Sequence, residues 1–140
     1  MKLLKNSSSK AYFTERMIAA LTYITMGMAG FIWLIICAVT KTNLRSFLKY
    51  HIFQSFFLVM AAFLINIFVG FIVSILGVIP FINMLVYKLL FFFTAPMILG
   101  YSLVNFGILL VMTYLVITSL QGKYSYIPWI SNIIDSNVQR

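Results

Sequence analysis

HIFQSFFLVMAAFLINIFVGFIVSIL, from His51 to Leu76, contains no Asp, Glu, Lys or Arg. At about 1.5 Å of rise per residue, a helix of this length exceeds an upright crossing of a ~30 Å hydrocarbon core. The apolar run continues to Ile79, and Gly77 and Pro80 mark its end, because proline disfavours helix at the residue before it.

Two further runs flank it. Met17–Val39 begins after Lys2, Lys5, Lys10 and Arg16 and ends before Lys41, Arg45 and Lys49. Met97–Leu120 ends before Lys123. Each gives a helix of about 35 Å, long enough to cross with tilt. Gly27 and Gly30 allow a kink or a close helix approach in the first run, and Gly100 and Gly107 offer a smooth face in the last.

Phe81–Thr94 is short, and Lys88 lies in its middle. A central Lys costs about 3 kcal/mol on an insertion scale, while each Leu, Ile or Phe returns roughly 0.5, so the balance is near zero. The segment is either a short span with a snorkelling Lys88 or an interfacial helix; we take it as a short span.

Composition agrees with lipid as the solvent. Hydrophobic residues make up 63% and charged residues 9% of the 140 residues. A soluble domain carries about a quarter charged residues. Ten Lys/Arg against two acids give a net charge of +8, but these cations flank apolar runs, where they set topology and meet anionic headgroups. No basic–aromatic pattern suited to nucleic acid is seen. The expected fold is therefore all-α: a polytopic membrane helical bundle of three long spans plus one short apolar segment, four in all. A polar tail over 1–15, a transmembrane domain over 16–121 and a polar tail over 122–140 complete the expected organisation. With four spans both termini fall on the cytoplasm-like side; with three the charge count decides nothing.

The chemistry expected of soluble-type enzymes lacks its parts. There is one Cys (Cys37), one His (His51) and two distant acids, Glu15 and Asp135. That excludes a disulfide within the chain and speaks against a protein-only metal site. No Gly-x-Ser-x-Gly turn is present, and a lone Asp cannot form an aspartyl pair. We expect no enzyme and no cofactor. Polar residues inside the runs are the candidates for a passage or for helix–helix bonding: Ser55 and Asn66, on one face with His51, then Lys88, Ser102 and Asn105. At the membrane borders Lys49 and Tyr50 suit interface anchoring. His51 and Gln54, about one turn apart, can hydrogen-bond a neighbouring connection. Gly122 suits a helix C-terminus, Lys123 its negative dipole end, and Pro128 a stop.

Three blocks carry a family resemblance. Glu15-Arg16-Met-Ile-Ala-Ala-Leu-Thr-Tyr23 looks like a Glu-Arg-x-x-Ala-Ala-Leu-x-Tyr opening. Tyr50-His51-x-x-Gln54-Ser55, after Phe47, is similar to an Arg-Phe-Asn-x-x-Gln-Ala block, with His51 and Ser55 in place of Asn and Ala. Gly122-Lys123, then Ile127-Pro128 and Ser131, looks like a Gly-Lys-x-x-x-Ile-Pro-x-x-Ser close. The chain thus resembles the Tic-twenty family, membrane components of the chloroplast inner-envelope protein translocon with bacterial relatives. The resemblance implies a multi-pass subunit of a protein-import translocon in a plastid membrane (organelle-encoded) or a bacterial inner membrane. Its partners would be the lipid bilayer, further copies or other membrane subunits, and unfolded precursor proteins. A small non-conducting membrane scaffold is the other reading.

Overall fold

The computed structural model describes residues 11–98, 100–128 and 130–138. The sequence-expected tail over 1–15 falls outside these residues as far as residue 10. The fold is all-α apart from one two-stranded ribbon. In chain order it comprises α1 (Phe13–Ile24), α2 (Met28–Thr40), α3 (Ser46–Leu76), α4 (Ile82–Thr94), β1 (Pro96–Ile98), β2 (Tyr101–Ser102), α5 (Leu103–Leu120) and α6 (Ile130–Val138). Two of these helices, α3 and α5, are long and apolar enough to cross a membrane.

Met17–Val39, expected as one helix, is two. Met26 and Gly27 both take positive φ, 51° and 92°. The Gly27 N–H bonds the Thr22 carbonyl at 2.7 Å and the Met26 N–H bonds that of Tyr23 at 3.0 Å. This pair of bonds is a Schellman motif, which closes a helix through a left-handed residue. Glycine is the usual occupant; here Met26 takes the position, so only Gly27 signalled a possible break in the sequence. Gly30 then lets α2 approach α1. A Cβ on it would stand 2.7 Å from Thr22 Cγ2 and 3.2 Å from both Ile52 Cγ1 and Ile52 Cγ2.

The chain divides into two compact units, residues 1–60 with 112–140, and residues 61–111. The first holds the core. Ala11, Ala19, Phe47, Leu48 and Ile52 are buried together, with Trp33, Leu34, Leu44 and Tyr124 packed against them. Leu115 and Ile134 are buried as well. At the start of α1, Glu15 reaches back to accept the Tyr12 N–H at 3.0 Å, which satisfies one of the free N–H groups of the first turn. The stretch after Leu120, expected as a polar tail, supplies α6 and the buried Ser125, Ser131 and Ile134. Its serines are buried because they are hydrogen-bonded, a condition that hydropathy cannot register.

The second unit is different in kind. No residue of α4 is buried, and none from Ala61 to Leu76 of α3 is either. Gly77 follows α3 directly, donating its N–H to Val73 O at 2.8 Å. The last apolar run starts its helix at Leu103 rather than Met97. Gly100, at φ 81°, turns the ribbon that pairs Pro96 with Ser102 and Ile98 with Tyr101. Ser102 then accepts the Asn105 N–H at 3.2 Å as an N-cap of α5.

Candidate functional site

The residues that carry the family resemblance come together in the first unit. Tyr23 of α1, Tyr50, His51 and Gln54 of α3, and Ser125 and Ser131 after α5 form one buried hydrogen-bonded group. His51, Gln54 and Ser125 are wholly buried, and Tyr23 and Tyr50 are 1% exposed. Two local features of the sequence build it. On α3, Tyr50, His51 and Gln54 lie within about one turn, so their side chains leave the helix together. After α5, Gly122 at φ 71° ends the helix through a second Schellman motif, with Gly122 N–H on Ser119 O at 2.9 Å and Lys123 N–H on Thr118 O at 3.0 Å. That turn feeds the chain back along α3.

Its bonds run in a circuit. The Tyr23 hydroxyl donates to Gln54 Oε1 at 2.7 Å and lies 2.7 Å from His51 Nδ1. Ser125 Oγ also donates to Gln54 Oε1, at 2.6 Å, and Gln54 Nε2 donates to the Ser125 carbonyl at 3.2 Å. Tyr50 donates to that same carbonyl at 2.7 Å and lies 2.8 Å from Ser131 Oγ, which accepts the Ile127 N–H at 2.8 Å. On its other side, His51 Nε2 is 3.2 Å from the Lys123 carbonyl.

One phenolic proton and one ring proton are shared among the three contacts between Tyr23, His51, Gln54 and Lys123, so two of the three are hydrogen bonds at a time. Two arrangements are open. With the ring proton on Nδ1, His51 donates to Tyr23 and Tyr23 donates to Gln54. With the proton on Nε2, His51 donates to Lys123 O and accepts from Tyr23, and Gln54 keeps its bond from Ser125. Aromatic rings wall this imidazole. Phe47 meets it edge-on at 4.5 Å between centroids, Tyr23 and Tyr50 at 5.6 Å, and Tyr124 stacks at 6.3 Å. His51 is sealed in the core of the first unit.

The remaining block residues frame the group. Glu15 pairs with Arg45 at 3.6 Å, and the Arg45 guanidinium sits 4.2 Å above the Tyr12 ring. Arg16 packs on Gly122 so closely that a Cβ there would stand 2.7 Å from Arg16 Nε, and that Nε is buried without a hydrogen-bond partner. Lys123 and Pro128 are exposed. Ser55 is buried, with its hydroxyl 3.4 Å from the Thr22 carbonyl. The other polar candidates lie elsewhere. Asn66 is exposed and bonds Ala62 O in its own helix at 2.8 Å, Lys88 and Asn105 are exposed, and Ser102 is occupied in capping α5.

Sequence reasoning passed over Ser125 and Tyr124. Both sit inside the third block at positions with no required identity, and only their burial marks them. Among the described residues no group of three His, Cys, Asp or Glu could hold a metal ion. The circuit contains no carboxylate; it consists of neutral donors and acceptors that satisfy one another, and this arrangement binds the post-α5 segment to α1 and α3.

Compared with family models, curated proteins and solved structures, the chain has no match.

Proposed function

We propose that this chain is an integral membrane subunit of a protein-translocating assembly of the Tic-twenty kind, in a plastid or bacterial inner membrane. One observation carries the reading. Side chains from all three blocks, Tyr23, then Tyr50, His51 and Gln54, then Ser131, meet in a single buried network whose bonds join residues up to 81 positions apart. Coincidental likeness in three short blocks gives no reason for their side chains to bond to one another. Lipid is the medium this reading requires, and the exposed apolar surface supports it. Phe63, Phe68, Phe71 and Leu64 of α3 and Leu85, Phe91 and Phe92 of α4 are each more than half exposed, far beyond the scattered apolar residues of a water-facing surface.

A specific observation also favours the scaffold reading. Ser55, Ser102 and Asn66 bond within the chain rather than lining a passage. A conducting role therefore needs other copies or subunits, with Asn66 and Asn105 as the polar groups available to them. Photocrosslinking probes placed at Asn66 and Asn105 should capture an arrested precursor protein if the chain contacts cargo. Absence of adducts at both, with the assembly intact, would leave the non-conducting scaffold. In that case Asn66→Leu with Asn105→Leu should keep transport at the wild-type level.

A further inference from the structure

We infer that the chain crosses the bilayer twice, that Met17–Val39 enters and leaves by one face, and that Arg16, Lys41, Arg45, Lys49 and Lys123 form a single cationic surface against anionic lipid headgroups on that face. The inference rests on the membrane reading above.

Two groups in contact share one depth in a bilayer, so the chain between them crosses an even number of times. Glu15 and Arg45 are in contact at 3.6 Å. Between them lie only α1, of 12 residues, and α2, of 13, helices of about 18 and 20 Å. Neither reaches across a ~30 Å core, so the number of crossings is zero. The turn at Met26-Gly27 is the tip of a re-entrant hairpin. A Cβ on Gly27 would stand 3.2 Å from Ser55 Oγ, which puts the tip level with Ser55. Ten residues of α3 separate Ser55 from Arg45, a rise of about 15 Å. The hairpin therefore runs beside the first turns of α3 and stops where the unburied stretch from Phe56 to Leu76 begins. That stretch, at about 31 Å, matches one crossing.

The same parity applies further on. His51 Nε2 lies 3.2 Å from Lys123 O, and Gln54 bonds Ser125 O at 3.2 Å. The chain from Gln54 to Lys123 must cross an even number of times, and α3 and α5 are the helices long enough to do it. The 13-residue α4, about 20 Å long, is too short for a crossing, so the even number is two. A four-span path would place His51 and Lys123 on opposite faces.

Charge fits this path. Of the six described Lys/Arg, five, Arg16, Lys41, Arg45, Lys49 and Lys123, belong to the first unit, near the close of the hairpin and the end of α5. Glu15 is already paired with Arg45. Short-loop Lys and Arg set orientation toward the cytoplasm or its organellar equivalent, where anionic lipid is held.

Single cysteines at Asn43, Gln121 and Val78, all exposed positions, report the path in a Cys37→Ser background. A membrane-impermeant maleimide is applied to inverted and right-side-out vesicles. We expect Asn43→Cys and Gln121→Cys to label in inverted vesicles only, and Val78→Cys in right-side-out vesicles only. Labelling of Asn43→Cys and Gln121→Cys from opposite faces overturns the hairpin. Labelling of Val78→Cys from the same face as the other two overturns the two crossings. Labelling of Asn43→Cys and Gln121→Cys in right-side-out vesicles only overturns the cytoplasmic placement of the cationic face. Release of the chain by alkaline wash, before any labelling, overturns the membrane reading itself and is thereby told apart from the other outcomes.

Discussion

Tyr23→Phe isolates the buried circuit with the least disturbance. The ring stays, so the packing against His51 at 5.6 Å is kept and no cavity opens. Only the hydroxyl goes. Gln54 Oε1 retains its 2.6 Å bond from Ser125, whereas His51 Nδ1 loses the neighbour it has at 2.7 Å. A buried polar group left without its partner costs about 1–3 kcal/mol, and that is the destabilisation expected. Unfolding in mixed micelles by a denaturing detergent gives the number. Ser74→Ala is the control, because the Ser74 hydroxyl bonds Gly70 O of its own exposed helix, and a change there should stay within about 0.5 kcal/mol. Combining Tyr23→Phe with Gln54→Leu should give a coupling of about 0.5–3 kcal/mol, since both belong to one network. If Tyr23→Phe matches wild type within the control's range, or the two changes simply add, the circuit does not hold the unit together and the reasoning fails.

Other outcomes follow from single positions. Gly122→Ala should destabilise by about 1–2 kcal/mol from its left-handed φ alone, with the Arg16 side chain forced aside in addition; Gly107→Ala, in open helix, should instead stabilise by roughly 0.5–1 kcal/mol, and the same unfolding assay reads both. Gly30→Ala should loosen the α1–α2 hairpin through the 2.7 Å approach to Thr22 Cγ2, and Thr22→Ser, which removes that methyl, should restore part of the loss in a thermal melt. Arg45→Gln should cost less than about 1 kcal/mol, because the Glu15 pair is partly exposed and screened by salt; a larger loss, unaffected by salt, would contradict a surface ion pair.

The long apolar helices α3 and α5 are legible in their apolar composition, and Gly77 and Gly122 mark where they end, whereas the start of α5 after Ser102 carries no signal in hydropathy. The break at Met26 is not legible, since a left-handed methionine is uncommon and its bonds to Thr22 and Tyr23 exist only in the folded chain. The burial of the segment after Gly122 is hidden in the sequence for a related reason. Ser125 and Ser131 count as polar in any residue scale, yet each is buried with its bonds made. Each resemblance block is visible on its own, and the spacing of His51 and Gln54 predicts a bond to a neighbouring connection. That the connection is Lys123–Ser125 depends on the turn at Gly122 and on chain reversal, neither of which local spacing encodes.

The bonds from α3 to the C-terminal segment join residues 71 to 81 positions apart. During synthesis at about 5–20 residues per second, Tyr50, His51 and Gln54 therefore emerge several seconds before Ser125 and Ser131 exist. For that interval the Tyr50 hydroxyl and the Gln54 amide nitrogen lack the Ser125 carbonyl that both bond in the folded chain. A product that terminates early, short of Ser125, lacks it permanently. Completion of translation is thus written into the packing as its last closing step, and an unfinished copy is chemically distinguishable from a finished one.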